Sequence, residues 1–373
     1  MEFIDLKAQY LAYQEELEEA ALRVLRSGRY ILGPEVEILE KELAHLVGTR
    51  YALGVSSGTD ALLLILTALG IGPEDAVITT PFTFAATAEV IKRCGARIIF
   101  ADVSAETMTL TPERVLAAFE EAQRRGYRPR AILAVSLFGL PAFLPELERL
   151  ASSLGIYLIE DACQSLGARA PEKASGSFGI AAATSFFPAK PLGGYGDGGM
   201  IFTSDATLYE KARALRIHGQ KERYQYVYTG FNARLDTLQA ALLLVKLKYF
   251  PEEIRKRQEI AKRYQEGLAG LPLSFQKVPE GYSSVYAQFT ICTEARDALR
   301  LFLQQRGIPT AIYYPKPLHL QPAFADLGYK KGDFPVAESL SERVISLPFY
   351  PFLKPEDQER VIESVRAFYG KNL

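Results

Sequence analysis

The chain has 373 residues, 48% hydrophobic and 23% charged, an ordinary globular composition long enough for two domains and a large core. Its formal net charge of −1 provides no general attraction to nucleic acid or to an anionic membrane. The three cysteines, Cys94, Cys163 and Cys292, match no metal spacing and no even disulfide framework.

His45, His218 and His319 lie far apart in sequence, so no metal site is expected. The first residues lack the basic start and apolar core of a signal peptide, and no apolar run approaches membrane-spanning length. A reducing cytoplasmic setting is the expectation.

In chain order, residues 8–27 have amphipathic spacing with Leu17, Ala20, Ala21, Val24 and Leu25 on one stripe, which predicts a helix ended by Gly28. Gly33-Pro34 marks a turn before a second helix over 35–47. A buried strand over 51–55 runs into Ser56-Ser57-Gly58-Thr59-Asp60 and an apolar helix over 61–69. Strands are then predicted over 76–80, 96–102, 130–135 and 156–160, and helices over 83–94, 111–124 and 144–154. The strands read as continuous apolar runs, the mark of a sheet covered on both faces. This alternation predicts an α/β domain with a mostly parallel sheet, whose ligands bind at the carboxyl ends of strands. Ser57, Thr59, Asp161 and Gln164 all follow strand ends.

After a helix over 208–215, an apolar helix is expected over 237–250 and a separate, charged one over 251–268. The expected division places a large domain at 1–250 and a smaller α+β domain at 251–373. The latter is predicted to hold a strand over 284–291, a helix over 294–306, a loop over 313–323 and a last helix over 356–369.

The chemistry centres on 184–199, where Lys190 is followed by five glycines, Gly193, Gly194, Gly196, Gly198 and Gly199. A lysine held there away from bulk water can act as a neutral nucleophile, as Schiff-base chemistry requires. The formal Gly194-x-Gly196-x-x-Gly199 pattern is no dinucleotide fingerprint, because a strand follows it rather than a helix. A phosphate-binding Walker loop also fails, since Pro191 and not Ser or Thr follows Lys190.

Other segments admit two readings each. Ser57-Gly58-Thr59 between a strand and a helix is an anion site of backbone N–H groups, or a simple helix cap. Asp161 at a buried strand end either caps the next segment or faces a cation, such as a protonated pyridinium nitrogen. Phe84 is either core or a ring that stacks on a flat cofactor. Asn232-x-Arg234-Leu-Asp236 is a helix start capped by Asp236, or a ligand segment. Tyr313-Tyr314-Pro315-Lys316-Pro317-Leu318-His319 is a surface turn, or a substrate loop.

In this order the segments resemble the DegT/DnrJ/EryC1/StrS sugar aminotransferases, a fold-type I pyridoxal phosphate family. The resemblance rests on Gly28-x-Tyr30-Ile31-Leu32-Gly33-Pro34, Ser57-Gly58-Thr59-Asp60-Ala61-Leu62 and Glu160-Asp161-Ala162. It continues through Thr184-Ser185-Phe186-Phe187-Pro188-x-Lys190, Gly196-Asp197-Gly198-Gly199, His218-Gly219-Gln220, Asn232-x-Arg234-Leu235-Asp236 and Pro317-Leu318-His319-Leu320-Gln321-Pro322. Within the family, the lysine segment looks most like the UDP-2-acetamido-2-deoxy-3-oxo-glucuronate transaminases of surface polysaccharide synthesis. Cys163 stands where the family more often has Ala.

The resemblance implies that Lys190 forms the Schiff base with pyridoxal 5'-phosphate and later moves a proton. It implies that Asp161 holds the pyridinium proton, Gln164 touches the ring hydroxyl and Phe84 stacks on the ring. Gly58, Thr59 and Ser185 would bind the phosphate, with Asn232 reaching it from the partner in a homodimer with shared sites. Arg234, Tyr313, Tyr314, Lys316 and His319 are the expected substrate residues. L-Glutamate would donate the amine to a UDP-linked 3-keto sugar. A dTDP-3-keto or 4-keto deoxysugar is the alternative acceptor. A dehydratase of the same family is disfavoured because those lack the lysine. A non-catalytic scaffold or regulator is disfavoured by the intact Lys190, Asp161 and Ser185.

Overall fold

The computed structural model describes residues 1–370. The expected first helix is two, α1 (Leu6–Ala12) and α2 (Gln14–Ser27). The break falls at Tyr13, whose ring stacks on Tyr249 at 4.0 Å and whose hydroxyl donates to Glu253 at 3.0 Å. Long-range contacts at Tyr13 override the local pattern. Helix α3 (Pro34–Val47) carries Pro at its first turn and ends at Gly48 in the left-handed conformation, φ 84°.

The sheet is built from β1 (Tyr51–Val55), β2 (Asp75–Thr79), β3 (Arg97–Phe100), β4 (Arg128–Val135), β5 (Tyr157–Asp161), β6 (Ala181–Ser185) and β7 (Gly199–Thr203). Helices α4 (Gly58–Ala68), α5 (Ala85–Arg93), α6 (Pro112–Arg124) and α7 (Leu144–Leu154) connect its strands, and α8 (Ala206–Leu215) follows β7. The strand order is β1-β7-β6-β5-β4-β2-β3. The pairs from β3 across to β6 are parallel, and β7 runs antiparallel to both its neighbours. Apolar cores lie on both faces of the sheet. Val77, Leu133 and Ile159 belong to one, and Ile78, Ile132 and Leu158 to another. This is the two-residue alternation of a strand with both faces covered.

Strands β8 (Gln220–Glu222) and β9 (Gln225–Tyr226) form an exposed hairpin. The helix break expected at Pro251 is absent. One helix of 31 residues, α9 (Thr237–Gly267), runs through that proline. Its first half packs on α2 and α3 and its second half joins the C-terminal core through Ile260, Ala261 and Tyr264. Packing along its whole length outweighs the one backbone donor lost at Pro251.

The C-terminal part holds β10 (Ser274–Phe275), β11 (Phe289–Cys292), α10 (Arg296–Gln305), α11 (Pro335–Arg343), β12 (Val344–Leu347) and α12 (Pro355–Gly370). Strand β11 starts later than expected because residues 284–287 bond instead to the short turn that follows β4, residues 137–139. There Val285 N–H donates to Gly139 carbonyl at 3.0 Å and Ala287 N–H to Phe138 carbonyl at 2.9 Å. Elements α11 and β12 were not anticipated from the sequence. β12 is only four residues long, and its burial comes from pairing with β11.

Candidate active site

The turn from β1 into α4 forms one wall of a cavity of about 420 Å³. Ser57 caps α4, its hydroxyl oxygen accepting from Asp60 N–H at 3.0 Å. A helix start leaves its first N–H groups without helical partners, ready for an anion. Gly58 is required by close approach, because a Cβ there would lie 2.7 Å from Cys163 Sγ and 2.8 Å from Ser185 Cβ. The turn therefore abuts the ends of β5 and β6.

Asp161 ends β5 and is 7% exposed. Its Oδ2 accepts from the Thr87 hydroxyl at 2.8 Å and its Oδ1 from Cys163 N–H at 3.2 Å. Among the described residues no cation forms an ion pair with it. Glu160, the preceding residue, points to the opposite face of the sheet. There its carboxylate accepts from the Ser136 hydroxyl and Gly176 N–H, each at 2.8 Å, and from the Ser175 hydroxyl. Burial pushes Glu160 up to about 7, and these hydrogen bonds oppose the shift.

Gln164 is fixed at both ends, accepting from Phe138 N–H at 2.7 Å and donating to the Tyr314 hydroxyl at 3.3 Å. Burial raises the Tyr314 phenol above its ordinary value. The Phe84 ring lies 6.3 Å from that of Tyr314 and is 58% exposed. The expected helix start at 83 is at Ala85 instead, and extended Phe84 precedes it with ψ 147°. That extended residue directs its ring outward rather than into the core.

Lys190 sits in the turn between β6 and β7, half-buried. The turn is closed by Phe186 N–H to Gly198 carbonyl at 2.8 Å, Gly194 N–H to Phe186 carbonyl at 2.7 Å and Lys190 N–H to Phe187 carbonyl at 2.8 Å. Ser185 accepts from Phe187 N–H at 3.2 Å.

Gly58, Thr59, Phe84, Asp161 and Gln164 thus share one cavity with Ser185, Lys190, Tyr313 and Tyr314. Four expected residues do not line it. Asn232 is exposed and pairs in a bridge with Ile217. Arg234 is half-buried, its Nε buried without a partner among the described residues. Lys316 is exposed. His319 is fully buried: Nε2 lies 2.9 Å from the Glu338 carboxylate, and its ring is 4.8 Å from that of Phe334. That contact ties the 318–320 segment to α11, outside the lining of this cavity. Asp236 precedes α9 but makes no side-chain capping bond.

Sequence patterning missed Thr87, whose hydroxyl orients Asp161, and Gln288, which lines the cavity with a buried Oε1 that has no partner among the described residues. Thr87 lies on a helix face that patterning assigns to packing. Gln288 interrupts an apolar run, the one signal that could have marked it.

A mostly parallel sheet whose strand ends frame one cavity, with a lysine on one wall and a buried acid on another, defines a fold-type I α/β enzyme. Residues 12–366 match the DegT/DnrJ/EryC1/StrS aminotransferase family, and the chain belongs to it. It is 44% identical over 353 residues to the UDP-2-acetamido-2-deoxy-3-oxo-D-glucuronate aminotransferase of Pseudomonas aeruginosa, covering 95% of this chain and 96% of that one. It is 41% identical over 367 residues to the dTDP-3-amino-3,4,6-trideoxy-alpha-D-glucose transaminase of Streptomyces venezuelae, covering 98% and 95%. The structure of S. venezuelae DesV in complex with a ketimine intermediate superimposes with a TM-score of 0.95 at 41% identity, covering 99% of this chain and 98% of that one.

Proposed function

We propose that this chain is a pyridoxal 5'-phosphate-dependent aminotransferase. It moves the amino group of L-glutamate to the keto carbon of a nucleotide-linked 3-keto sugar for surface polysaccharide synthesis. The observation that carries the reading is the placement of Lys190 and Asp161 on two walls of one cavity.

The residues present fit the cofactor. Asp161 is a buried carboxylate without a cationic partner among the described residues, the group a protonated ring nitrogen needs. The N–H groups of Gly58 and Thr59 at the start of α4, with the Ser185 hydroxyl, suit a phosphate. Gln164 would meet the ring hydroxyl, and Phe84 would cover one ring face. When bound, the cofactor supplies an electron sink for the carbon that loses its proton. Lys190 would hold the aldehyde carbon and carry a proton between C4′ and the substrate carbon. Asp161 would keep the proton on the ring nitrogen throughout.

Asn232 lies outside its own chain's cavity and is exposed. This supports a homodimer in which Asn232 of the partner subunit completes the phosphate site. Exposed Tyr224, Tyr226, Val227 and Tyr228 on and beside the β8–β9 hairpin give that dimer an apolar surface. The scattered cysteines suit the cytoplasm, and among the described residues no helix is long and apolar enough to cross a membrane.

UDP-2-acetamido-2-deoxy-3-oxo-glucuronate is the acceptor favoured, on the 44% identity to the relative named for it. A dTDP-linked keto-deoxysugar is the second reading, on the 41% identity to the S. venezuelae transaminase. Borohydride reduction of cofactor-loaded protein followed by peptide mapping should label Lys190. Label on another lysine would sink the reading. Single-turnover assays with both acceptors then decide between them.

A further inference from the structure

The turn that carries Lys190 contains four glycines, Gly193, Gly194, Gly196 and Gly198, and is permissive by composition, so its shape must be imposed from outside. Helix α9 meets it with side chains spaced seven residues apart, Gln239, Lys246 and Glu253, which fall on one face at 3.6 residues per turn. Gln239 Oε1 accepts from Tyr195 N–H at 2.8 Å. The Lys246 ammonium donates to the Gly193 carbonyl and lies 5.3 Å from the centre of the Tyr195 ring. Glu253 follows on the same face. It accepts from Gln9 Nε2 at 2.7 and 2.8 Å and from the Tyr13 hydroxyl at 3.0 Å.

Lys246 is 3% exposed and Glu253 is also 3% exposed. Burying an ammonium in an apolar stretch of helix is costly, and a methionine would fill the same space. Burial pulls Lys246 down to about 8, with Glu253 opposing and Arg257 adding to the shift. The charge is kept where it meets one backbone carbonyl of the lysine turn. Gly193 is folded so tightly on that turn that a Cβ would lie 2.2 Å from the Pro188 carbonyl oxygen. Fixing Gly193 therefore fixes the chain two residues before Lys190.

We propose that Lys246 is a positioning residue, whose ammonium holds the Gly193 carbonyl and thereby sets where the Lys190 amine stands in the cavity. The role rests on the reading of Lys190 given above. Gln239 makes the parallel tie to Tyr195, and Glu253, held by Gln9 and Tyr13 on the same helix face, favours the ammonium through its charge.

The test uses cofactor-loaded wild type, Lys246→Met and the double variant Lys246→Met/Glu253→Gln. The double variant also removes the Glu253 charge that lies on the same helix face. The single-turnover reaction with glutamate is followed through the visible cofactor band. Expected in both variants is a loss of roughly 100-fold in the rate at saturating glutamate, the scale set by a displacement of about 1 Å. The glutamate concentration giving half the maximal rate should move by less than about threefold, as when an interaction made only in the transition state is lost. Wild-type rates in the double variant overturn the positioning role. So does failure of both variants to fold, which marks Lys246 as a structural anchor. A wild type with no visible band and no label on Lys190 removes the underlying reading as well, a result distinct from either.

Discussion

The hydroxyl of Thr87, on α5, donates to Asp161 Oδ2 at 2.8 Å, joining residues 74 apart in the chain. Thr83 stands 3.1 Å behind that hydroxyl, so a short polar relay holds the carboxylate in one orientation. Thr87→Val keeps the side-chain volume and removes the donor. A hydrogen bond to a charged group contributes about 1.5–3 kcal/mol, so affinity for pyridoxal 5'-phosphate should fall roughly 10- to 150-fold in a spectroscopic titration. Asp161→Ala should cost turnover more, since charge develops on the ring in the transition state. Near-normal turnover in Asp161→Ala would make the acid a cap only.

The exposed position of Asn232 leads to a complementation experiment. Lys190→Ala and Asn232→Ala subunits, mixed and allowed to exchange, should form heterodimers with one site that has both residues intact. Activity should exceed that of either parent, with Asn232→Ala itself impaired. No recovery after proven exchange would assign Asn232 to its own chain.

Arg234, like its neighbour Asn232, lies outside its own chain's cavity and carries a buried Nε without a partner among the described residues. In the proposed dimer it would accompany Asn232 to the neighbouring site, where a hexuronate offers a carboxylate that a deoxysugar lacks. A guanidinium suits that group because it pairs bidentately. Leaving a charge unpaired in a buried site costs about 2–5 kcal/mol. Arg234→Ala should therefore slow amination of the UDP-keto-uronate roughly 30-fold or more, with a smaller effect on the glutamate half-reaction. A wild type that prefers the dTDP-keto-deoxysugar would assign Arg234 another role.

Glu160 gives a pH signature. Its folded value is raised from 4.5 to about 7, so the folded protein holds a proton there that the unfolded chain has released. The stabilisation is fully present below about 4.5 and is lost as pH rises through about 7. Relative to Glu160→Gln, wild type should lose about 3 kcal/mol of unfolding free energy across that window, measured by urea denaturation at several pH values. Parallel curves for the two proteins would show that Glu160 stays ionised.

Much of the site was legible before the fold. Ser57, Gly58, Asp161 and Lys190 each stand in a short segment whose local rules, strand end, helix start or glycine turn, operate over a few residues. The covered parallel sheet followed from uninterrupted apolar strands such as 131–135. Residues such as Thr87, Lys246 and Gln288 gave little local sign of their part, because their partners are 74 and 53 residues away for the first two and the Gln288 Oε1 has none among the described residues.

What the sequence by itself determined is the strand–helix alternation of the large sheet and the chemistry of the groups at strand ends, since period and turn type are local properties. Only the tertiary structure decided that α9 runs unbroken through Pro251, that His319 is buried against Glu338, and that Asn232 is outside its own chain's cavity. Each of these depends on packing and charge pairing between segments far apart in the chain, where long-range burial outweighs local propensity.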